Sequence, residues 1–241
     1  MRLLLTLLGA LACSSAFAQE DIEAIDRTSG IIPSLRLSFD IAGEPSPQGP
    51  VVPHRGHGIE IGLSGGSGED TQSFSGAPVV FGGRVFLPGT LQHEFDSGFF
   101  EVAYRYRHFF GASRVFGIEA IGGLGVASLE LTTSSGTTTA SQKIDNGGLV
   151  AGFGIVWKFL PSTSLQSRIT LFGSGEREGV TGAARVDVHV AHAVARNIAL
   201  RAGLVSWGIV SQRAGEDDGD SLNSRIRAGL SGLSLGLDVA F

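Results

Sequence analysis

Hydrophobic and polar residues alternate along most of this chain, so its dominant period is two rather than 3.6. From Phe116 to Val126 the positions Phe116, Ile118, Ala120, Gly122, Leu124 and Val126 share one side, with Glu119 on the other. From Leu149 to Phe159, Leu149, Ala151, Phe153, Ile155, Trp157 and Phe159 oppose Gly152, Gly154 and Lys158. Phe100, Val102, Tyr104 and Tyr106 alternate with Glu101, Ala103, Arg105 and Arg107, and Val186, Val188 and Val190 with Arg185, Asp187 and His189. Successive strand side chains point to opposite faces, so each run predicts a strand with one greasy face and one polar or small face. Strands of a soluble sandwich average about five or six residues. Several of these runs are about twice as long, the length a tilted strand needs to cross a bilayer.

Connections reinforce that reading. Gly111-Ala112-Ser113, Pro161-Ser162-Thr163 and Ala195-Arg196-Asn197 are tight turns, whereas 66–97, 132–145, 173–179 and 212–221 are longer polar segments. Short and long connections therefore alternate, as in membrane barrels with short turns on one side and longer loops on the other. The strands so delimited are 57–65, 98–110, 113–131, 146–160, 164–172, 180–194, 197–211 and 222–241. The expected fold is all-β: a closed antiparallel up-and-down transmembrane β-barrel of eight strands over residues 57–241. Closure follows because an open sheet edge cannot satisfy its backbone groups in lipid. A phase change near Ser231-Gly232 reads as a bulge. The segment 19–56 is ambiguous, because 33–42 alternates as well as the chosen strands, ahead of a Pro-rich stretch from Glu44 to Pro53. Were 33–42 a wall strand, an even count would demand a partner, with Val79 to Leu87 the candidate and ten strands the result.

Residues 1–18 read as an export signal: Arg2, an apolar run from Leu3 to Ala12, and the small-x-small site Ala16-Phe17-Ala18. A lipoprotein site at Cys13 is the rival, disfavoured because Ala10 stands where such sites prefer Leu. Cys13 is the only cysteine, so the chain after cleavage can hold no disulfide and no thiolate metal site. Loss of Arg2 leaves 17 basic against 23 acidic residues, a net charge of −6 that disfavours nucleic acid as a partner. The chain has 36 glycines, about twice the usual share. No cofactor is expected.

The chain ends Ser234-Leu235-Gly236-Leu237-Asp238-Val239-Ala240-Phe241, with Leu233, Leu235, Leu237, Val239 and Phe241 on one face. Ser234, Gly236, Val239 and Phe241 resemble the C-terminal assembly signal of bacterial outer-membrane barrels. With the leader and the long alternating strands, the whole chain after cleavage resembles the small eight-stranded group of the OmpA membrane-domain, OmpX and opacity-protein type. That resemblance implies the outer membrane of a Gram-negative bacterium as location. It also implies lipid and lipopolysaccharide as surroundings, the barrel-assembly machinery as a transient partner, and a monomer. It carries no catalytic motif.

The polar strand faces place Glu60, Glu101, Glu119, Asp187 and Asp238 in the lumen with Arg105, Arg107, Lys158, Arg168, Arg185 and Arg201. An eight-stranded lumen is only wide enough for side chains to fill, so these charges should pair across it. The expected function is therefore non-enzymatic: a filled barrel serving envelope integrity, or surface interaction through acidic external loops. A narrow channel for small solutes is the alternative, and a membrane-embedded hydrolase acting on lipid A or peptides is a further one. For the hydrolase the candidates are His93 with Glu94 and Asp96, and His189 with His192, although those last two point to opposite faces. None of the six His is followed two residues later by the Ser of the deacylase type of barrel. The acidic loops comprise Glu69, Asp70, Glu94 and Asp96 in 66–97, and Glu216, Asp217, Asp218 and Asp220 in 212–221. The last run lacks the ligand spacing of an EF-hand loop. Phe109, Phe110, Phe116, Trp157, Phe159 and Phe241 read as one aromatic girdle, and Phe95, Phe99, Phe100, Phe172 and Trp207 as the other.

Overall fold

A computed structural model describes residues 34–43, 55–76, 78–111, 114–176, 179–195, 197–213 and 225–240. The leader read over 1–18 and Phe241 lie outside the described residues. Every element among those described is a strand: β1 (Ser34–Gly43), β2 (Arg55–Phe74), β3 (Val79–Phe81), β4 (Arg84–Phe86), β5 (Gly89–Phe110), β6 (Phe116–Ser135), β7 (Thr138–Leu160), β8 (Thr163–Glu176), β9 (Gly179–Ala195), β10 (Ile198–Arg213) and β11 (Arg225–Ala240). Nine of them close into one ring in the order β1-β11-β10-β9-β8-β7-β6-β5-β2, and β3 pairs only with β4.

The count is nine, neither eight nor ten. The evenness rule fails because β1 lies antiparallel to β2 but parallel to β11, in register from Leu35 with Leu235 to Asp40 with Ala240. A parallel seam closes an odd ring. The Val79–Leu87 stretch is no tenth wall strand, since Gly82 and Gly83 (φ 54° and 73°) turn it back on itself. Two successive positive φ values are what a two-residue hairpin turn of this hand requires.

The polar segments read as loops are largely wall. Strands β2 and β5 stay paired from Arg55 with His108 up to Phe74 with Gly89, through most of 66–97. Strands β6 and β7 stay paired up to Ser135 with Thr138, leaving a two-residue turn at Gly136. In 173–179, β8 and β9 stay paired to Glu176 with Gly179. From 212–221, Gln212 and Arg213 belong to β10, and the rest lies outside the described residues.

The wall exchanges its greasy side halfway up. On β5, Phe100, Val102, Tyr104 and Phe110 are exposed outside while Glu101, Arg105 and Arg107 are buried inside. Above Phe99 the same alternation reverses in character: Gln92, Glu94 and Asp96 face out, and Leu91, Phe95 and Phe99 are buried inside. Strand β6 does likewise, with Leu124 and Val126 exposed below, and Leu129 and Leu131 buried above with Glu130 outside. The upper interior is an apolar cluster that includes Phe95, Phe99, Leu129, Leu131, Phe172, Trp207 and Ile209, closed over by Phe81 and Phe86 of the β3–β4 hairpin. The second girdle is thereby corrected. Only Phe100 of that set is exposed outside, and Phe95, Phe99, Phe172 and Trp207 build the interior. Of the first, Phe110, Phe116, Trp157 and Phe159 are exposed outside, whereas Phe109 is buried.

Candidate functional site

Among the described residues the lower interior holds twelve buried charged side chains, six Arg (Arg36, Arg105, Arg107, Arg168, Arg185, Arg201) and six acids (Asp40, Glu60, Glu101, Glu119, Asp187, Asp238). Their positions follow from the pleat, since each occupies the inward phase of a strand whose other face is apolar. The balance matters, because charges removed from water cost several kcal/mol each unless opposite charges and hydrogen bonds compensate them.

Glu60 of β2 is the hub. It accepts hydrogen bonds from Arg168 Nη1 and Nη2 (2.5 and 3.1 Å), from Arg105 Nη1 (3.0 Å) and from the Ser38 hydroxyl (2.9 Å). Arg168 stands on β8, across the ring from β2, so this two-pronged contact spans the lumen. Its Nη2 also donates to Glu119 Oε2 (2.9 Å), whose other oxygen accepts from Arg107 Nε (2.6 Å). Arg105 donates to Asp40 as well. A second knot joins Arg36 to Asp187 (3.0 Å), Arg185 to the other oxygen of Asp187 (2.9 Å), and Glu101 to both arginines at 3.7 and 3.8 Å. Arg201 pairs with Asp238 (3.1 Å) and donates to Ser38 (3.1 Å), and Arg36 Nε, 3.9 Å from Glu60 Oε2, ties the two knots together.

Glycine makes the room. A Cβ on Gly62 would lie 2.6 Å from a Glu101 carboxylate oxygen, one on Gly154 3.1 Å from Glu119, and one on Gly236 3.0 Å from Arg201 Nε. The inward glycines of β2, β7 and β11 are thus the complement of the long side chains opposite. Gly236 of the terminal motif has this local use, while Ser234 is buried and Val239 half-buried on β11.

Ten of the eleven lumen positions read from the sequence are buried here. Lys158 is not among them: it is half-buried beyond Val156, its ammonium 4.5 Å from the centre of the Phe109 ring. Arg36 and Asp40 are missing from the sequence-based set although the alternation of Arg36, Ser38 and Asp40 signals them, because β1 was set aside on parity. The candidate hydrolase groups are not brought together. His93 is buried and bonded through Nδ1 to Thr133 (2.9 Å), while Glu94 and Asp96 are exposed on the opposite face of β5. His189 is buried against Gln166 (3.1 Å), and His192 faces out to Thr163 (2.9 Å). The acids read as loop residues sit on strands: Glu69 is opposite Glu94, and Asp96 opposite Glu130, on the outer face of the upper wall. Residues 216–220 lie outside the described residues.

Set against protein-family models, curated proteins and solved structures, the chain matches none of them.

Proposed function

We propose that this chain is a non-enzymatic outer-membrane barrel whose lumen is closed by its own side chains, serving envelope integrity and presenting an acidic wall above the lipid. One observation carries the reading: below Phe99 the molecule is inside out. Leu63, Val102, Leu124, Leu149, Phe153, Ile169, Leu204 and Leu235 are each 40 % exposed or more, while twelve charges are buried within. Monomers in water seldom leave so continuous an apolar surface bare. On β5 this outer band runs from Phe100 to Phe110. At about 3.3 Å per residue and a tilt of about 40°, it stands about 25 Å tall, the height of the apolar band on transmembrane barrels. The outward residues above it, including Gln92, Glu94, Asp96 and Glu130, then belong to wall standing clear of the hydrocarbon.

A closed lumen is favoured over a channel because both levels are occupied, the lower by paired charges and the upper by carbon under a hairpin. The test is twofold. Membrane fractions run on a denaturing gel with and without boiling should show the chain in the outer-membrane fraction with heat-dependent mobility. Purified chain in planar bilayers should give no conductance above baseline. Recovery as a dissolved periplasmic monomer overturns the membrane reading, and steady single-channel currents overturn the closed lumen.

A further inference from the structure

Above Ser34 the ring is one strand short among the described residues. Strand β1 has 10 residues, whereas its neighbours β2 and β11 have 20 and 16. It pairs with β2 no higher than Ser34 with Ser64, and with β11 no higher than Leu35 with Leu235. Beyond that level β2 runs on over 65–74 and β11 over 225–234, each still paired on its far side, with β5 and with β10. Their near sides have no partner strand among the described residues. Two rows of N–H and C=O groups therefore flank a gap the width of a single strand. Such edges are templates for an added strand. The gap also lies beside carbon, since Leu230 and Ala228 of β11 stand opposite Trp207 and Ile209 of the apolar cluster.

We propose that the segment 24–33 of this same chain adds as a strand to both edges and completes the wall. The segment lies outside the described residues, and three observations single it out. The first is where the chain enters the ring. Ser34 stands at the floor of the gap, so 24–33 needs no linker to reach it and acts at the high local concentration of a tethered partner. The second is length. Continuing the registers of β1 sets residue 24 opposite Phe74 and residue 25 opposite Arg225, so ten residues reach the ends of both edges together. The third is fit. The same registers carry Ile32 between Gly66 and Gly232 on the inward phase, where neither neighbour has a side chain to obstruct it. Pro33 withholds one donor, which interrupts the ladder at that residue alone and accounts for the pairing of β1 that starts at Ser34. The inference concerns the ring itself and holds whatever meets its outer face.

Engineered cysteine pairs test it. Cys13 is the only native cysteine, so Cys13→Ser gives a thiol-free background in the full chain. Ile31→Cys is combined separately with Ser67→Cys of β2 and with Ser231→Cys of β11, both exposed positions, and each double variant is oxidised in detergent. A strand between β2 and β11 puts each pair at the separation of neighbouring strands, about 4.5–5.5 Å between Cα atoms, inside the disulfide range. Both pairs should close within the monomer, read as loss of alkylatable thiol by mass. Ser67→Cys with Ser231→Cys, two strand spacings or about 9.5 Å apart, should stay reduced. Ile31→Cys with Ser73→Cys, about 20 Å out of register, should do likewise. Where a first variant loses the strand content of wild type in circular dichroism, Ser29→Cys with Glu69→Cys, and with Gly229→Cys, decides instead. Space is open for the new side chain at Gly229. A folded variant that fails to close either pair overturns the added strand. Closure of Ser67→Cys with Ser231→Cys overturns the gap, and equal closure of the shifted pair overturns the register. Closure only between two molecules overturns the assignment to this segment and gives the gap to a second copy.

Discussion

Glu60→Gln is the sharpest probe of whether the lower interior is a sealed ionic network or a wet passage. The change removes one negative charge with almost no change of shape, leaving six buried arginines against five acids. Four hydrogen bonds of 2.5–3.1 Å converge on the wild-type carboxylate, two of them from Arg168 alone. Breaking a buried pair by removing one partner costs about 3–5 kcal/mol, chiefly because the other charge is left uncompensated. Gln keeps one carbonyl acceptor, which puts the expected loss near the lower end, about 3 kcal/mol. Glu60→Gln with Arg168→Gln restores the balance, and the double variant should recover about 1–2 kcal/mol relative to the summed single effects, within the usual range of coupling between contacting residues. Urea titration in detergent or vesicles, followed by tryptophan emission, measures both. If the lumen were hydrated, water and counterions would stand in for the missing carboxylate, and the cost would fall to the 0–1 kcal/mol or so typical of exposed pairs. A single variant within about 1 kcal/mol of wild type, with additive double-variant behaviour, therefore refutes the sealed interior.

Three further outcomes follow from the same geometry. Leu204→Arg, on a side chain 64 % exposed in the outer band, should cost about 2–4 kcal/mol of folding free energy in lipid vesicles if that face meets hydrocarbon near mid-bilayer. The same change on a water-facing surface stays within about 0.5 kcal/mol, so a silent variant contradicts the lipid contact. Gly203→Val should destabilise by about 1–3 kcal/mol, because a Cβ there runs into the Val188 carbonyl oxygen and the His189 backbone; an unshifted urea midpoint would mean looser packing of β9 on β10. Burial lowers the pKa of His93 below its ordinary value, against a weaker opposing pull from Asp70. The unfolded chain thus binds a proton here before the folded one does. Stability should fall as the pH drops below the ordinary histidine range, and be fully present above it. His93→Gln should flatten that slope in pH-dependent hydrogen exchange of β5 and β6, and an unaltered slope assigns it elsewhere.

The lower wall was legible because its two faces differ so strongly in polarity. The alternations Phe100–Tyr106 and Leu149–Phe159 could hardly be anything but strands, and the polar phases of the lower strands together named ten of the twelve interior charges among the described residues. Legibility ended where the interior changed character. Leu91, Phe95, Leu129 and Leu131 keep the period of two, but with their greasy side turned inward. Beside the strands below, Glu94 and Asp96 then looked like loop polarity. Strand β1 failed for another reason. Its alternation was plain, but an even count then required a tenth strand and an unusually long turn over 66–77, and a parallel seam is a long-range pairing that no local pattern encodes. The hub role of Glu60 was equally unreadable, since Arg168 lies 108 positions along the chain.

The parallel joint has a consequence for how the molecule comes into being. Leu35 and Leu235 sit side by side although nearly the whole polypeptide separates them. Contacts so distant in sequence are the slowest to reward the loss of chain entropy, so this joint closes last. Until it does, β1 and β11 each present a bare row of N–H and C=O groups, ready to pair with whatever strand arrives first. Two unfinished copies would answer each other's edges as readily as their own. The cylinder is thus safest when its first and last strands meet without delay, and a chain shortened at either end becomes an open curl that invites a neighbour.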